Sequence, residues 1–495
     1  MIFSPPPKYV FGAQAFEALR LENARLQDEN AWLRSAYEDQ QKINAQLAAR
    51  IEELERRLKL NSSNSSKPPS SDGLKKPKAE LRTKSLRGKT GNKSGGQKGH
   101  KGETLRQTAE PDHVEDHFPV TCGQCGSTLL STAAAGHTAR QVFDLPEPQP
   151  LVAVEHRAHA CLCGRCGETT KAAFPQGVAA PVQYGPRIAS VATYLQCAHF
   201  LPEERLSKVM ADLFNAPLAT ATLAAMVHKA AERFMAFSTH LCEQISEKAG
   251  VKHLDETGFR IGGKTQWLHV ACTPLLAFYR VSSKRGSLLT DLSGCIVHDH
   301  WKPYFTLDNV IHALCNAHHL RELQALIDIE KEDWAGQMQR LLRRAHHVAQ
   351  AAQNQNVAVS DRLIVLVGRR YDRIIAEALA FHEAQPTLSR PKPGKRGRKK
   401  RRTGHNLALR LREHKEGTLR FLANPDVPFT NNEAERDLRM MKLRQKISGG
   451  FRSQQGAEDF AILRSLITTA RKQGWNIIET LMKTADQLMA DLKYA

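Results

Sequence analysis

No stretch of the 495-residue chain approaches the roughly 18 consecutive apolar residues that a membrane-spanning helix needs, which excludes an integral membrane protein of that kind. The opening MIFSPPPKYV has three prolines and no long apolar segment behind a basic start, so it lacks the pattern of a secretory signal. A cytoplasmic protein with no membrane partner is expected. Ten cysteines are too few for a disulfide scaffold of this length. Acidic residues are also scarce where bases gather: residues 390–402 hold nine Lys and Arg and no acid.

Composition is otherwise globular, with 41% hydrophobic and 25% charged residues, and the length calls for roughly three domains. The formal charge is +20, and nearly all of it sits in two places. Residues 67–106 hold 12 Lys and Arg against 3 acids, and residues 390–402 supply the rest. A basic excess confined to such segments suits a polyanion, because each phosphate neutralised by Lys or Arg releases condensed counterions. Nucleic acid is the first candidate partner, the alternative being solvated linkers that only aid solubility. Candidate phosphate contacts are Lys75, Lys76, Lys78, Lys98 and Lys101 in the first run. In the second they are Lys395, Arg396, Arg398, Lys399, Lys400, Arg401 and Arg402.

Leucines recur at Leu19, Leu26, Leu33, Leu47 and Leu54, with Gln40 in the gap. Asn23, Asn30, Tyr37, Asn44, Ile51 and Leu58 form the companion series. This heptad predicts a coiled-coil oligomerisation helix over 15–60, with buried Asn residues fixing register at a cost in stability. A homo-oligomer follows from it; the alternative is a helix folded back on the body of the protein. A basic flexible linker is expected over 61–110, where NSSNSSKPPSSDGLKKPK offers no apolar face.

Five cysteines crowd into 122–166. Cys122 with Cys125 and Cys163 with Cys166 form two Cys-x-x-Cys pairs, each able to chelate one ion through two thiolates. A tetrathiolate zinc module over 115–170 is expected, with Cys161 able to stand in for Cys163. Residues 184–245 read as helical, broken at Asn215-Ala216-Pro217, a pattern open to either a helix-turn-helix that reads DNA or an ordinary bundle.

From 251 onward VKHLDETGFRI, TQWLHVACTPL, LAFYRV and GCIVHDHW alternate like strands between Gly- and Ser-rich turns. Asp255 and Asp299 are each placed where a strand ends. Glu433 and Glu435 enter a helix whose start is signalled by Thr430, Asn431 and Asn432. Convergence of such separated carboxylates suits phosphoryl transfer, in which hard Mg²⁺ ions held by carboxylate oxygens clamp the attacking and leaving oxygens. The region from about 325 to 425 is of helical texture and reads as an insertion, and 466–495 as a C-terminal helix.

NSSNSSKPPSSD after a coiled coil, GGQKGHKG, the paired Cys-x-x-Cys motifs, LDETG and FTNNEAERDLRMMKLRQKISGGFRS occur here in order along nearly the whole chain. In this the sequence resembles the DDE transposases of the insertion-sequence sixty-six family. The resemblance implies an α/β catalytic core of RNase H type over 250–465, preceded by the coiled coil, the zinc module and the helical DNA-binding region. It places the catalytic, metal-holding acids at Asp255, Asp299 and Glu435, with Glu433 as local rival and Asp291 and Asp308 as fallbacks for the second. It further implies Mg²⁺ (or Mn²⁺), binding to terminal inverted repeats, cleavage to a 3′-OH and its transfer into target DNA. Companion proteins encoded by the element and a bacterial, nucleoid-associated location belong to the same expectation. Departures are Thr430 in place of Asp, and His300-Trp301-Lys302 after the second acid. Cys315 and His318 match a Cys-x-x-His feature of the family but are read here as core packing without a catalytic role. The rival functions are a zinc-containing DNA-binding regulator, an inactive transposase derivative, or a structure-specific nuclease on the same core.

Overall fold

The computed structural model describes residues 12–59, 106–131, 135–144, 151–248, 250–287, 289, 291–385 and 401–494. Most of the expected linker and the bases Lys75, Lys76, Lys78, Lys98, Lys101, Lys395, Arg396, Arg398, Lys399 and Lys400 lie outside the described residues. Among the described residues no helix is long and apolar enough to cross a membrane.

The first element is a single helix, α1 (Ala13–Lys59). Its heptad leucines are exposed, Leu19 at 54% and Leu47 at 56%. Each Cys-x-x-Cys pair then lies on a turn of the same build. In the first, the Cys122 N–H donates to Ser127 O at 2.8 Å and Gly126 N–H to Cys122 O at 2.9 Å. In the second, Cys163 N–H donates to Glu168 O at 2.8 Å and Gly167 N–H to Cys163 O at 2.9 Å. Gly126 and Gly167 sit at φ of 75° and 74°, the left-handed conformation that such a turn requires and glycine adopts without strain. The second turn joins β1 (Ala160–Leu162) to β2 (Thr169–Lys171) in an antiparallel hairpin. The Cys125 thiol is lowered to about 7, chiefly by its hydrogen bond with the Ser127 hydroxyl, and Cys163 is lowered by the N–H groups of Cys166 and Arg165. Among the described residues no three of the four thiols come within 4.8 Å of one another.

Three helices follow: α2 (Pro186–His199), α3 (Glu203–Phe214) and α4 (Thr220–Glu247). Leu206, Met210, Ala216, Leu218 and Leu223 form a small core at the α3–α4 corner, where Asn215 ends α3 at φ 51°. The second helix of the expected helix-turn-helix is a core element along one face. In α4, Val227, Ala231, Phe234, Phe237, Leu241 and Ile245 recur at helical spacing and are buried in the main core.

That core surrounds a five-stranded sheet of β3 (Val251–Ile261), β4 (Lys264–Cys272), β5 (Ala277–Ser282), β6 (Cys295–His298) and β7 (Ile311–Leu314), in spatial order β5-β4-β3-β6-β7. The hairpin β3–β4 turns on Gly262 and Gly263, both at positive φ, and β5 continues antiparallel. β6 and β7 run parallel to β3. A second core forms around Cys295, Val297 and Ala313 beneath α5 (Asn316–Ala325), α6 (Asp333–Asn354), α7 (Asp361–Glu383), α8 (Thr403–Glu413) and α9 (Lys415–Ala423). The chain returns to the sheet in α10 (Asn432–Ser448) and α11 (Gln454–Gln473), and ends in the short helices α12 (Ile477–Met482) and α13 (Ala485–Ala490). The single helix expected over 466–495 is therefore three pieces. Gly474 at φ 74° closes α11, and Asn476 and Thr484 side chains cap the two that follow.

Both edges of the sheet are covered by side chains. On β5, the Tyr279 N–H donates to Ser465 Oγ at 2.9 Å and the Ala277 N–H to Thr469 Oγ1 at 3.1 Å, while the Thr469 hydroxyl donates back to Ala277 O. On β7, Arg420 Nε donates to His312 O at 2.9 Å, and Gly417 lets α9 approach so closely that a Cβ there would meet His312 O at 3.3 Å. A Thr469→Val substitution keeps the shape but strands a buried N–H and C=O. It is expected to lower unfolding free energy by about 1–3 kcal/mol, read from the urea midpoint.

Candidate active site

Asp255 is not at the end of its strand, as its sequence neighbourhood suggests, but near the middle of β3, because the strand runs on into the hairpin with β4. It does lie just past the parallel pairing with β6. The register Val251↔Cys295, Lys252↔Ile296, His253↔Val297, carried two residues further, sets Asp255 level with Asp299, one residue beyond β6. Neighbouring strands are about 4.8 Å apart, so the two carboxylates face each other across one strand spacing. Asp255 Oδ1 accepts its neighbour Glu256 N–H at 2.9 Å, and Asp299 Oδ1 accepts the Trp301 N–H at 2.9 Å, a short turn that fixes the carboxylate.

Both carboxyls of the pair are raised. Burial holds the Asp255 carboxyl well above the usual range, and the charges of Glu256, Asp299 and Glu435 push it further. Burial likewise raises Asp299, against the Trp301 N–H and the positive Arg285. Among the described residues neither carboxylate has an ion-pair partner. Two buried acids this close stay ionised together only with a compensating cation, and an all-oxygen donor set is what a hard divalent ion takes. The residues therefore fit a Mg²⁺ or Mn²⁺ ion.

Helix α10 carries both candidate third acids and turns them apart. Glu433 Oε1 pairs with Lys472 Nζ of α11 at 2.7 Å, and Lys472 also holds Asp437 Oδ2 at 3.1 Å. Glu435, two residues on and about 200° around the helix, points the other way, toward α5. Its Oε1 lies 3.4 Å from Arg321 Nη2, 3.7 Å from His318 Nδ1 and 3.9 Å from Cys315 Sγ. Cys315 and His318, read from sequence as packing, thus face the third acid. Their i, i+3 spacing was the visible signal, but nothing in the sequence shows what α5 packs against.

Asn431, the residue before α10, is 2% exposed and ties these parts together. Its Nδ2 donates to Leu254 O at 2.7 Å, its Oδ1 meets His253 Nδ1 at 2.8 Å, and its N–H donates to Cys315 Sγ at 3.1 Å. No side chain caps α10, so the capping role expected of Thr430 and Asn431 is replaced by this inward link to β3.

Glu256 occupies the opposite face of β3 and is neutralised by Arg285 at 2.6 Å and by the Tyr304 hydroxyl. Arg285 stacks at 4.2 Å over the Trp301 ring. The loop after β6 is braced by histidines: His298 Nε2 shares a hydrogen bond of 2.9 Å with His312 Nδ1, and His300 Nδ1 one of 2.8 Å with His319 Nε2. Burial pushes His298 and His319 down to about 3, so the brace is built of neutral imidazoles. The fallback acids Asp291 and Asp308 are exposed, outside this pocket. Arg401 is exposed and Arg402 half-buried at the start of α8.

An Asn431→Ala variant leaves Leu254 O and His253 Nδ1 without their partner in the interior. It is expected to lose about 3 kcal/mol of stability in chemical denaturation, more than an Asn-to-Ala change costs at the exposed Asn432.

The model of the transposase IS66 family matches residues 181–459, and a family of unknown function, DUF6444, matches residues 13–106. Over 98 residues the chain is 33% identical to the uncharacterized protein y4jO of Sinorhizobium fredii, a match covering 18% of this chain and 30% of that relative. The chain therefore spans less than a third of the curated relative's length. With a match from 181 to 459 that takes in more than half of its 495 residues, the whole sheet and α10, the chain belongs to the transposase IS66 family.

Proposed function

We propose that this transposase binds the terminal inverted repeats of its own mobile element, cuts them to free 3′-OH ends and joins those ends to target DNA, using one RNase H-like site for both reactions. The observation that carries the reading is the level register of Asp255 on β3 with Asp299 just past β6, with Glu435 of α10 near enough for its charge to raise Asp255 and, among the described residues, no cationic side chain paired to either aspartate. The strand order, with an antiparallel three-strand meander joined to two parallel strands, is the order expected of an RNase H-like core.

Asp255, Asp299 and Glu435 would hold Mg²⁺ or Mn²⁺, which when bound lowers the pKa of an attacking water or hydroxyl and neutralises charge on the phosphate. The protein's own part is positional. Asp255 is fixed by β3, Asp299 by the Trp301 N–H, and Glu435 by α10 and Arg321; among the described residues the three carboxylates do not gather within 4.8 Å of one another, so an ion would draw Glu435 from Arg321 toward the aspartate pair. Arg285, already committed to Glu256, keeps a positive charge near Asp299 without pairing with it.

Other parts of the chain supply grip and assembly in this reading. Zinc would join the Cys122–Cys125 turn to the Cys163–Cys166 turn, whose matching geometry and lowered thiols suit tetrathiolate binding. The basic runs, including Arg401 and Arg402, would hold DNA phosphates, α1 would pair two or more copies, and element-encoded companion proteins would join the complex.

The test is cleavage of labelled DNA carrying the repeats that flank the gene, with Mg²⁺. Asp255→Asn, Asp299→Asn and Glu435→Gln are each expected to lose at least about a hundredfold in rate while still binding DNA, since each removes several kcal/mol of metal-borne stabilisation. Glu433→Gln is expected to cut. Cleavage that survives loss of any one of the three acids overturns the assignment of that acid, and DNA binding with no cleavage by wild type favours a regulator. Removing residues 13–59 is expected to convert an oligomer to a monomer in light scattering; an unchanged mass would place the oligomer contact elsewhere.

A further inference from the structure

We infer that Cys315, His318 and Glu435 form a second metal site, of soft character, whose ion competes with the catalytic ion for Glu435. Cys315 joins β7 to α5, His318 lies in the first turn of α5 and Glu435 in the first turn of α10, so these elements bring one sulfur, one nitrogen and one oxygen donor to a point. The three donor atoms all lie within 4.8 Å of one another. The Sγ–Oε1 and Nδ1–Oε1 separations are 3.9 and 3.7 Å. A tetrahedral Zn²⁺ with bonds of about 2.0–2.3 Å needs edges of roughly 3.4–3.6 Å, a contraction of a few tenths of an ångström.

A second, independent feature points the same way. His318 Nδ1 is buried and has no hydrogen-bond partner, although Glu435 is close by. A buried nitrogen left unpaired is uncommon, and one aimed at a carboxylate and a sulfur is what an ion would satisfy. Cys315 Sγ already accepts the Asn431 N–H, a bond of the kind that supports metal thiolates. Three protein ligands leave a fourth position open, and the sulfur selects zinc over magnesium.

Arg321 makes the site reversible. Its Nη2 sits 3.4 Å from the same Oε1, and the side chain is 25% exposed, so it can hold the carboxylate when no ion is present and swing outward when one binds. Glu435 then has two alternative partners besides Asp255 and Asp299: a guanidinium, or zinc with Cys315 and His318. Zinc there withdraws Glu435 from the oxygen-only set, so zinc inhibits Mg²⁺-supported cleavage. This last consequence rests on the catalytic reading of Glu435; the binding of zinc does not.

Equilibrium dialysis of the full chain against micromolar zinc, with the bound metal counted by mass spectrometry, tests the binding. Wild type is expected to hold one equivalent more than Cys315→Ala and His318→Gln, whatever the thiols of residues 122–166 hold in all three. Arg321→Ala is expected to bind that equivalent about tenfold more tightly. Equal stoichiometry in wild type and both variants overturns the site, and His318→Gln covers the case in which Cys315→Ala fails to fold. For competition, cleavage with and without zinc is compared within each protein. A zinc-induced loss seen in wild type and absent in His318→Gln supports the competition, and equal loss in both overturns it. If no protein cleaves at all, the catalytic reading fails while the zinc count still decides the site.

Discussion

The arrangement of the acids depends on one buried side chain. Asn431 lies between three pieces of chain that are far apart in sequence, and its four polar groups are bonded to all three: β3 through Leu254 and His253, the residue after β7 through Cys315, and α10 through the Glu435 N–H that donates to Asn431 O at 3.1 Å. An amide can do this because it offers donors and an acceptor in one plane, and burial makes each missing bond costly. Asn316 repeats the device one layer away, its N–H donating to Phe429 O and its Nδ2 to Thr418 O. Together they fix where the helical insertion leaves the sheet and where it comes back, so α10 returns to β3.

Around that anchor, charge is distributed acid by acid. Glu256 has Arg285, Glu433 and Asp437 share Lys472, and Glu435 leans on Arg321. Asp255 and Asp299 are left with backbone N–H groups alone and with each other's field. A protein interior tolerates such a pair when something outside the chain completes it. The nearby histidines do not: His298, His300 and His319 are held neutral by burial and by one another, and act as a brace with no charge to offer.

Much of this architecture was legible in the sequence, and the illegible parts have physical reasons. The strands β3 to β6 announced themselves through alternation and Gly-rich turns, and α1 through its heptad. The short β7, with four residues and a polar start, has too little pattern to stand out. Asp255 could be placed on a strand but not along it, since the hairpin that prolongs β3 is a tertiary choice. The opposed faces of Glu433 and Glu435 follow from helical geometry, but which face looks inward depends on Lys472, about five turns into another helix. Asn431 read as a helix cap because local chemistry favours that role; its long-range bonds displaced it. The pairing of Cys315 and His318 with Glu435 joins α5 to α10 across more than a hundred residues, and no local pattern encodes that.

The hydroxyl hooks of Ser465 and Thr469 on β5 and the Arg420 bond on β7 have a consequence for how copies of this chain can meet. A sheet with open margins grows by adding a strand from a neighbour, and many assemblies and aggregates form that way. Here the margin groups on each side are already engaged by the protein's own helices. Extension of the sheet from one molecule into the next is blocked at those positions, so any contact between copies has to use parts of the chain other than these strand margins.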